Sequence, residues 1–355
     1  MLGNVLLIRP GALGDALLTL PVLNALEIAG AASITILGTP ASWSFMPKSN
    51  SAPRVLDCGS SDWLGLYFDG AEISKSAREI LAQTQCAIVY LKFDKTEHTN
   101  RLNSFGIKTI LSIIPPTETY SPLPLEAPES IPDLEIFRML HRHAAGCLLL
   151  PLIVTLSREG TETAERPRYR IPVDIVRPNT FQSAPKWLAP SPAELHAARL
   201  FLESTGATAQ GFFALHPGSG GRRKCWPADR FAQLTARISR ETNLTPLVLF
   251  GPADDVTRSE FERAMPADVK WHALAHRPLR ELFALLHSCR FYIGNDSGIS
   301  HLAARATRTL AIFGPTDPEV WAPLGEQVRI IRALHGTLAD LTVHNVFDAA
   351  TPLAP

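Results

Sequence analysis

The chain carries no excess charge of either sign: 34 lysines and arginines balance 34 aspartates and glutamates across 355 residues. That balance removes the electrostatic footprint of a nucleic-acid binder, and attraction to a membrane would need a local patch. Long apolar runs are also missing. The longest, Cys147 to Leu156, is interrupted by Pro151 and is too short to cross a bilayer. Cysteine is scarce, and the five at 58, 86, 147, 225 and 289 are odd in number and far apart. A disulfide framework is therefore excluded, and reduced structural thiols in a cytoplasmic protein are expected. The opening MLGNVLLIRPGALGD has no basic stretch ahead of its apolar run, so no signal peptide is expected. Metal-ligand spacing is absent as well. His141 and His143, on a helix expected at 133–145, are two apart and do not share a face. His272 and His276 fall in what reads as a loop beside Pro278. No metal is expected.

What is present describes a packed globular protein: 46% hydrophobic and 19% charged residues, in a chain long enough for two ordinary domains. Val5–Ile8 is a continuous apolar run, the pattern of a central parallel strand. It ends at Arg9-Pro-Gly-Ala-Leu-Gly14-Asp15, and a leucine-rich helix follows, then a second strand at Ser33–Leu37. The loop is Gly-x-x-Gly rather than the three-glycine dinucleotide fingerprint, and no acid closes the second strand, so a nicotinamide enzyme is not expected. Asp15 at the helix start suits the helix dipole, the better reading from position alone, and a general base facing a cleft is the functional alternative; the sequence leaves both open. Further strands are expected at 55–58, 86–91 and 109–114. A polar segment Lys92–Arg101 and a proline-rich loop at 115–132 lie among them.

Residues 166–192 hold six prolines and little periodicity, and the linker is placed at 176–192. The expected domains are thus 1–175 and 193–355, with the tail of the second able to pack back on the first. After a helix at 192–204 and a strand at 211–215 comes His216-Pro-Gly218-Ser219-Gly-Gly-Arg-Arg-Lys224-Cys-Trp226-Pro. Glycines and a serine exposing backbone donors, followed by three cations, suit a phosphate or pyrophosphate; a flexible basic turn is the plainer alternative. Asp254, at the end of the strand 247–250, suits ribose hydroxyls or a helix start. A third loop, Gly294-Asn295-Asp296-Ser297-Gly298-Ile-Ser300-His301, lies between two apolar runs. It carries more polarity than a helix cap needs, and so reads as a ligand site at a strand end.

Three stretches together give the chain a resemblance: IRPGALGDALLTLPVLNAL, ALHPGSGGRRKCWPADRFAQL and GNDSGISHLAA…LAIFGPTDP. It resembles the ADP-heptose:lipopolysaccharide heptosyltransferases of glycosyltransferase family 9. The resemblance implies an α/β protein of GT-B type, with two Rossmann-like doubly wound parallel-sheet domains facing a central cleft. It implies inverting, metal-independent transfer of a heptosyl group from ADP-heptose to a hydroxyl of a lipopolysaccharide core or related glycan. No cofactor is implied, the ADP-sugar being a co-substrate, and a lipid-linked acceptor would bring the protein to the cytoplasmic face of the inner membrane.

Carried over by position, Asp15 becomes the catalytic base and Lys224, in Lys-x-Trp-Pro, the group that neutralises the departing diphosphate. His216, Gly218, Ser219, Lys224, Asp254, Asp296, Ser297, Gly298 and His301 are the expected donor contacts, and Gly14, Lys92 and Arg101 the expected acceptor contacts. The base and the donor loops fall in different domains, so catalysis would depend on closure. Where the family carries arginine and glycine after the strand near 110, this chain reads Lys108-Thr-Ile-Leu-Ser, a departure that bears on the acceptor. Two other readings stand beside this one: a related transferase using another nucleotide sugar, and a nucleotide-sugar-binding protein without catalysis.

Overall fold

In the computed structural model of the protein the described residues are 2–90, 95–107, 109–112, 153–155, 168–170, 186–206, 211–333 and 336–353. They divide into two units, Met1–Trp43 with Pro47–Thr180, and Ser44–Met46 with Phe181–Pro355.

The first unit runs β1 (Gly3–Arg9), α1 (Leu13–Ile28), β2 (Ala31–Gly38), β3 (Arg54–Asp57), α2 (Leu64–Tyr67), α3 (Lys75–Ala82), β4 (Cys86–Val89), α4 (Lys95–Ser104) and β5 (Thr109–Ser112). Its five strands lie in the order β3-β2-β1-β4-β5, all parallel. Such a sheet is covered on both faces, which is why β1 and β4 are apolar throughout their centres rather than alternating. Leu6, Ile8, Leu37, Ala87, Val89 and Ile110 form the core with Trp63 and Leu66. A short antiparallel pair, β6 (Ile153–Thr155) with β7 (Arg168–Arg170), also belongs to this unit. The sequence gives β7 no strand signal, because three residues with two arginines are too few to show alternation. Lys92, the proline-rich stretch, the helix expected at 133–145 and most of the expected linker lie outside the described residues.

The second unit runs α5 (Pro192–Ser204), β8 (Phe212–His216), α6 (Ala228–Thr242), β9 (Thr245–Phe250), α7 (Asp255–Ala264), β10 (His272–Ala275), α8 (Leu279–His287), β11 (Cys289–Asn295), α9 (Gly298–Ala303), β12 (Arg308–Phe313), α10 (Pro318–Trp321), β13 (Val328–Arg332) and α11 (Val343–Ala350). Its sheet has the order β10-β9-β8-β11-β12-β13, again parallel. His272 therefore opens an edge strand where a loop is expected from the sequence. β10 has only Leu274 deeply buried, too little pattern to register. Phe213, Leu215, Val248, Phe291, Ile293 and Leu310 fill the core between helices. Phe231, Leu234 and Ile238 bury one stripe of α6, at the spacing that puts three side chains on one helical face. Asn243 ends α6 in the left-handed region, φ 57°, where asparagine is tolerated. Val346, Ala350 and Leu353 of the tail are buried in this same core. Among the described residues, no helix is long and apolar enough to cross a membrane.

α5 begins with a capping box, Ser191 and Glu194 bonding each other's backbone N–H, and with Pro192 at its first position. Glu194 also takes a two-pronged ion pair from Arg280 of α8, with both bonds 2.6 Å. The Arg280 hydrogen bonds hold the Glu194 carboxyl well down, from its ordinary 4.5 to about 2. A carboxyl depressed on folding adds stability that is present above its unfolded value and lost as pH falls toward the folded one. Glu194→Gln is accordingly expected to lower the melting temperature at pH 6 and to narrow the gap as pH drops from 4.5 toward 2, measured by thermal melts across pH.

Candidate functional site

A doubly wound sheet opens a crevice where its strand order reverses, beyond the carboxyl ends of the two strands that diverge there. In the second unit those strands are β8 and β11, paired through His216 and Gly294. The loops that leave them are the glycine-rich basic loop and the Asn-Asp-Ser-Gly loop, so topology brings together two of the segments singled out from the sequence.

Asn295 clasps the two loops. It is fully buried, its amide donates to the carbonyls of Pro217 (2.8 Å) and Gly218 (3.3 Å), and its carbonyl accepts the Trp226 N–H (2.9 Å). Trp226 is itself fully buried, with its indole N–H on the Leu341 carbonyl at 2.9 Å. Ser219 adds a bond to the Asp296 carbonyl, 2.7 Å. The basic loop is therefore pinned at both ends rather than being a flexible turn. Asn295→Asp removes the amide donor and faces a carboxylate with two carbonyls in a dry site. A loss of about 2–4 kcal/mol is expected in urea unfolding.

Inside this frame the charged groups converge. Lys224 Nζ donates to Asp296 Oδ2 at 2.8 Å, and Thr316, in the loop after β12, donates its hydroxyl to the same oxygen at 2.7 Å. The Asp296 side chain is only 7% exposed, whereas Lys224 is 38% exposed. An ammonium has three donors, and this pairing uses one of them. Ser297 caps α9, accepting the Ser300 N–H, and His301 is buried one turn on. Gly298, at the first position of α9, is half-buried.

A further buried set adjoins. His216 Nε2 lies 2.9 Å from Asp254 Oδ2 and its Nδ1 lies 3.3 Å from Ser297 Oγ. Asp254 also accepts the Gly251 N–H at 2.6 Å. Burial alone would push the Asp254 carboxyl up, but the hydrogen bonds it takes from His216 and the Gly251 N–H outweigh it and hold the carboxyl below its ordinary value. Gly218 packs directly on this carboxylate, and any Cβ there would overlap it.

In the first unit the strand order reverses between β1 and β4. Arg9 ends β1, and its guanidinium lies 4.5 Å from the ring centre of Tyr90, just past β4. Asp15 sits in the first turn of α1. Its Oδ1 takes Arg9 Nη2 and its Oδ2 the Ala12 N–H, both at 2.9 Å. The helix-start role of Asp15 is thus filled, and the carboxylate remains 26% exposed. Gly11, at φ 132°, admits this carboxylate because it has no Cβ to meet it. Gly14 lies half-buried inside α1. Arg101 donates to the Gly65 carbonyl at 2.8 Å and pairs with Asp69, two partners within its own unit. Lys92 is outside the described residues.

Residues 182–350 match the family model described as glycosyltransferase family 9 (heptosyltransferase). Over this segment, just under half of its length, the chain is similar to glycosyltransferase family 9. The matched segment takes in the whole cluster from His216 to Thr316. Curated relatives agree over a shorter stretch. Lipooligosaccharide heptosyltransferase 2 of Haemophilus influenzae is 32% identical over 123 residues, 33% of this chain and 35% of the relative. Lipopolysaccharide heptosyltransferase 2 of Escherichia coli is 31% identical over 121 residues, 33% of this chain and 34% of the relative. The matched stretch spans about a third of the length of these relatives.

The fold extends the likeness to the whole chain. The structure of E. coli ADP-heptose lipopolysaccharide heptosyltransferase II superposes with a TM-score of 0.63 at 18% identity, covering 99% of this chain and 98% of that one. A family 9 transferase from Veillonella parvula gives 0.65 at 17% identity, covering 99% and 97%. The two parallel α/β sheets are therefore those of the GT-B heptosyltransferase structures, as the resemblance implies. Arg9 and Thr316 are not among the residues singled out from the sequence. The sequence signals for Thr316 are its place in the LAIFGPTDP stretch and its position after β12, the strand beside β11.

Proposed function

We propose that the protein transfers a heptosyl group from ADP-heptose to a hydroxyl of a lipopolysaccharide core or related glycan, with inversion and without a metal ion. The observation that carries this reading is the Lys224–Asp296–Thr316 cluster at the β8/β11 crevice, inside the segment that matches family 9. Support for an ADP-sugar comes from a related fold, the E. coli heptosyltransferase WaaC with ADP, which aligns with a TM-score of 0.60 at 17% identity over 99% of this chain.

In the reaction the acceptor oxygen forms a bond to the anomeric carbon as the bond from that carbon to the β-phosphate oxygen breaks. The proton of the acceptor hydroxyl passes to Asp15, in the first unit. The negative charge left on ADP meets Lys224 and the backbone N–H groups of the glycine-rich loop, fixed in place by Asn295 and Ser219 before the substrate arrives. Asp296, held by two donors on one oxygen, keeps its other oxygen for sugar hydroxyls. The first unit takes the acceptor and the second the donor, and a lipid-linked acceptor would place the work at the cytoplasmic membrane face.

The experiment is to supply ADP-heptose with and without a heptose-lacking lipopolysaccharide core and to follow ADP. Release only in the presence of acceptor supports transfer, whereas ADP binding without release under either condition makes the protein a nucleotide-sugar binder.

A further inference from the structure

Of the residues expected to touch the donor, His216 and Asp254 are engaged with each other, and His216 has both ring nitrogens taken. The residue is 5% exposed, and both ring nitrogens already face protein partners, Asp254 on one side and Ser297 on the other. Those partners are as deeply buried, at 4% and 8%. The three come from three different strand ends: Asp254 after β9, His216 at the end of β8, and Ser297 after β11. No nitrogen is left to hold a ligand.

We propose that His216 is a positioning residue for nucleotide-sugar binding, one that sets the Ser297 hydroxyl and the start of α9 without touching the donor. The inference rests on the reading of the β8/β11 crevice as the donor site.

The hydrogen-bond directions follow from the chemistry of the groups. An ionised carboxylate can only accept, so at 2.9 Å His216 Nε2 carries the proton given to Asp254. When the ring is neutral its Nδ1 is bare and accepts from the Ser297 hydroxyl. That turns the Ser297 proton toward His216 and leaves the lone pairs of Oγ to the Ser300 N–H, the capping bond of α9. Ser300 is fixed in turn by donating to the Asn295 carbonyl and by the Tyr292 hydroxyl at 3.1 Å. Asp254 cannot drift, being held by the Gly251 N–H and by the bare face of Gly218. A chain of fixed bonds therefore runs from the end of β9 through His216 to the first turn of α9. That turn adjoins Asp296, whose carboxylate meets Lys224.

The test uses two partial mimics of imidazole. Asparagine places its amide near the position of Nδ1 and keeps Ser297, while glutamine reaches the position of Nε2 and keeps Asp254. Affinity for ADP is measured by titration calorimetry on folded protein, beside melting temperature and the KM and kcat for ADP-sugar. His216→Ala is expected to weaken ADP binding about tenfold or more, with KM raised and kcat changed less. His216→Asn is expected to recover most of that affinity and His216→Gln little of it. His216→Ala combined with Ser297→Ala should be no worse than either alone, because both break one linkage.

If the alanine variant does not fold, the asparagine–glutamine comparison carries the test. Equal loss with asparagine and glutamine, or additive losses in the double variant, would mean that His216 does not act through Ser297. Lowered melting temperature with unchanged ADP affinity in all variants would make the role merely structural and overturn the proposal. Failure of the wild-type protein to bind ADP at all would instead remove the site reading on which it rests.

Discussion

Asp15→Asn is expected to lower turnover by about two orders of magnitude or more while leaving ADP-sugar affinity within a few-fold. Asparagine keeps the size of the side chain and an oxygen to accept the Ala12 N–H at the start of α1, so the helix entry survives. What it loses is the carboxylate that receives the acceptor proton, together with the ion pair to Arg9. These two losses are separable. The helix-start charge and a partly exposed ion pair are worth about 1 kcal/mol of stability, visible in a thermal melt and nearly invisible in turnover. Loss of a general base changes kcat and leaves the melt alone. Asp15→Ala removes the capping bond as well, so its added stability cost relative to Asp15→Asn measures the structural role by itself. Wild-type turnover in Asp15→Asn would remove Asp15 as base and leave it a helix-start carboxylate.

The second large effect concerns Lys224. Lys224→Met should weaken ADP binding by tenfold or more and depress turnover as well, because an ammonium facing a diphosphate acts on both the bound and the departing nucleotide. The same change strips a carboxylate that is 7% exposed of its counter-charge, leaving Thr316 alone on Asp296 Oδ2. A stability loss of about 1–3 kcal/mol is expected from that buried, uncompensated charge. The two causes come apart in the double variant Lys224→Met with Asp296→Asn, where no charge is left unpaired. Its melting temperature should return most of the way to that of the wild type, while its ADP affinity should not. Recovery of both would mean that Lys224 serves only to neutralise Asp296.

The parts of this account that the sequence made legible are those with a long or repeated pattern. Parallel strands buried on both faces show as continuous apolar runs, so β1, β8, β9 and β11 announce themselves, and the stripe of Phe231, Leu234 and Ile238 marks α6. β7 and β10 do not, because three or four residues on a sheet edge or in a lone pair bury too little to leave a pattern. The loops of the site were legible for a different reason. Glycine, serine and cations crowded at a strand end are costly unless a ligand or a network uses them. Which of the two uses applies to each residue was not legible. His216 and Asp254 look like ligand contacts in the sequence and prove to be engaged with each other, 38 positions apart. Asn295 looks like one polar residue among several and proves to be the clasp between two loops. Pairings of this kind are set by strand order, and strand order is not written locally.

The most direct test of the donor site is isothermal titration of the purified protein with ADP, UDP, GDP and NAD in EDTA, repeated on Lys224→Met. Micromolar-range binding of ADP, preferred over the other three and weakened at least tenfold in the variant, is the predicted result. Preference for UDP or GDP would keep the transferase and change its donor, and binding of none of the four would contradict the assignment of the β8/β11 crevice to a nucleotide sugar.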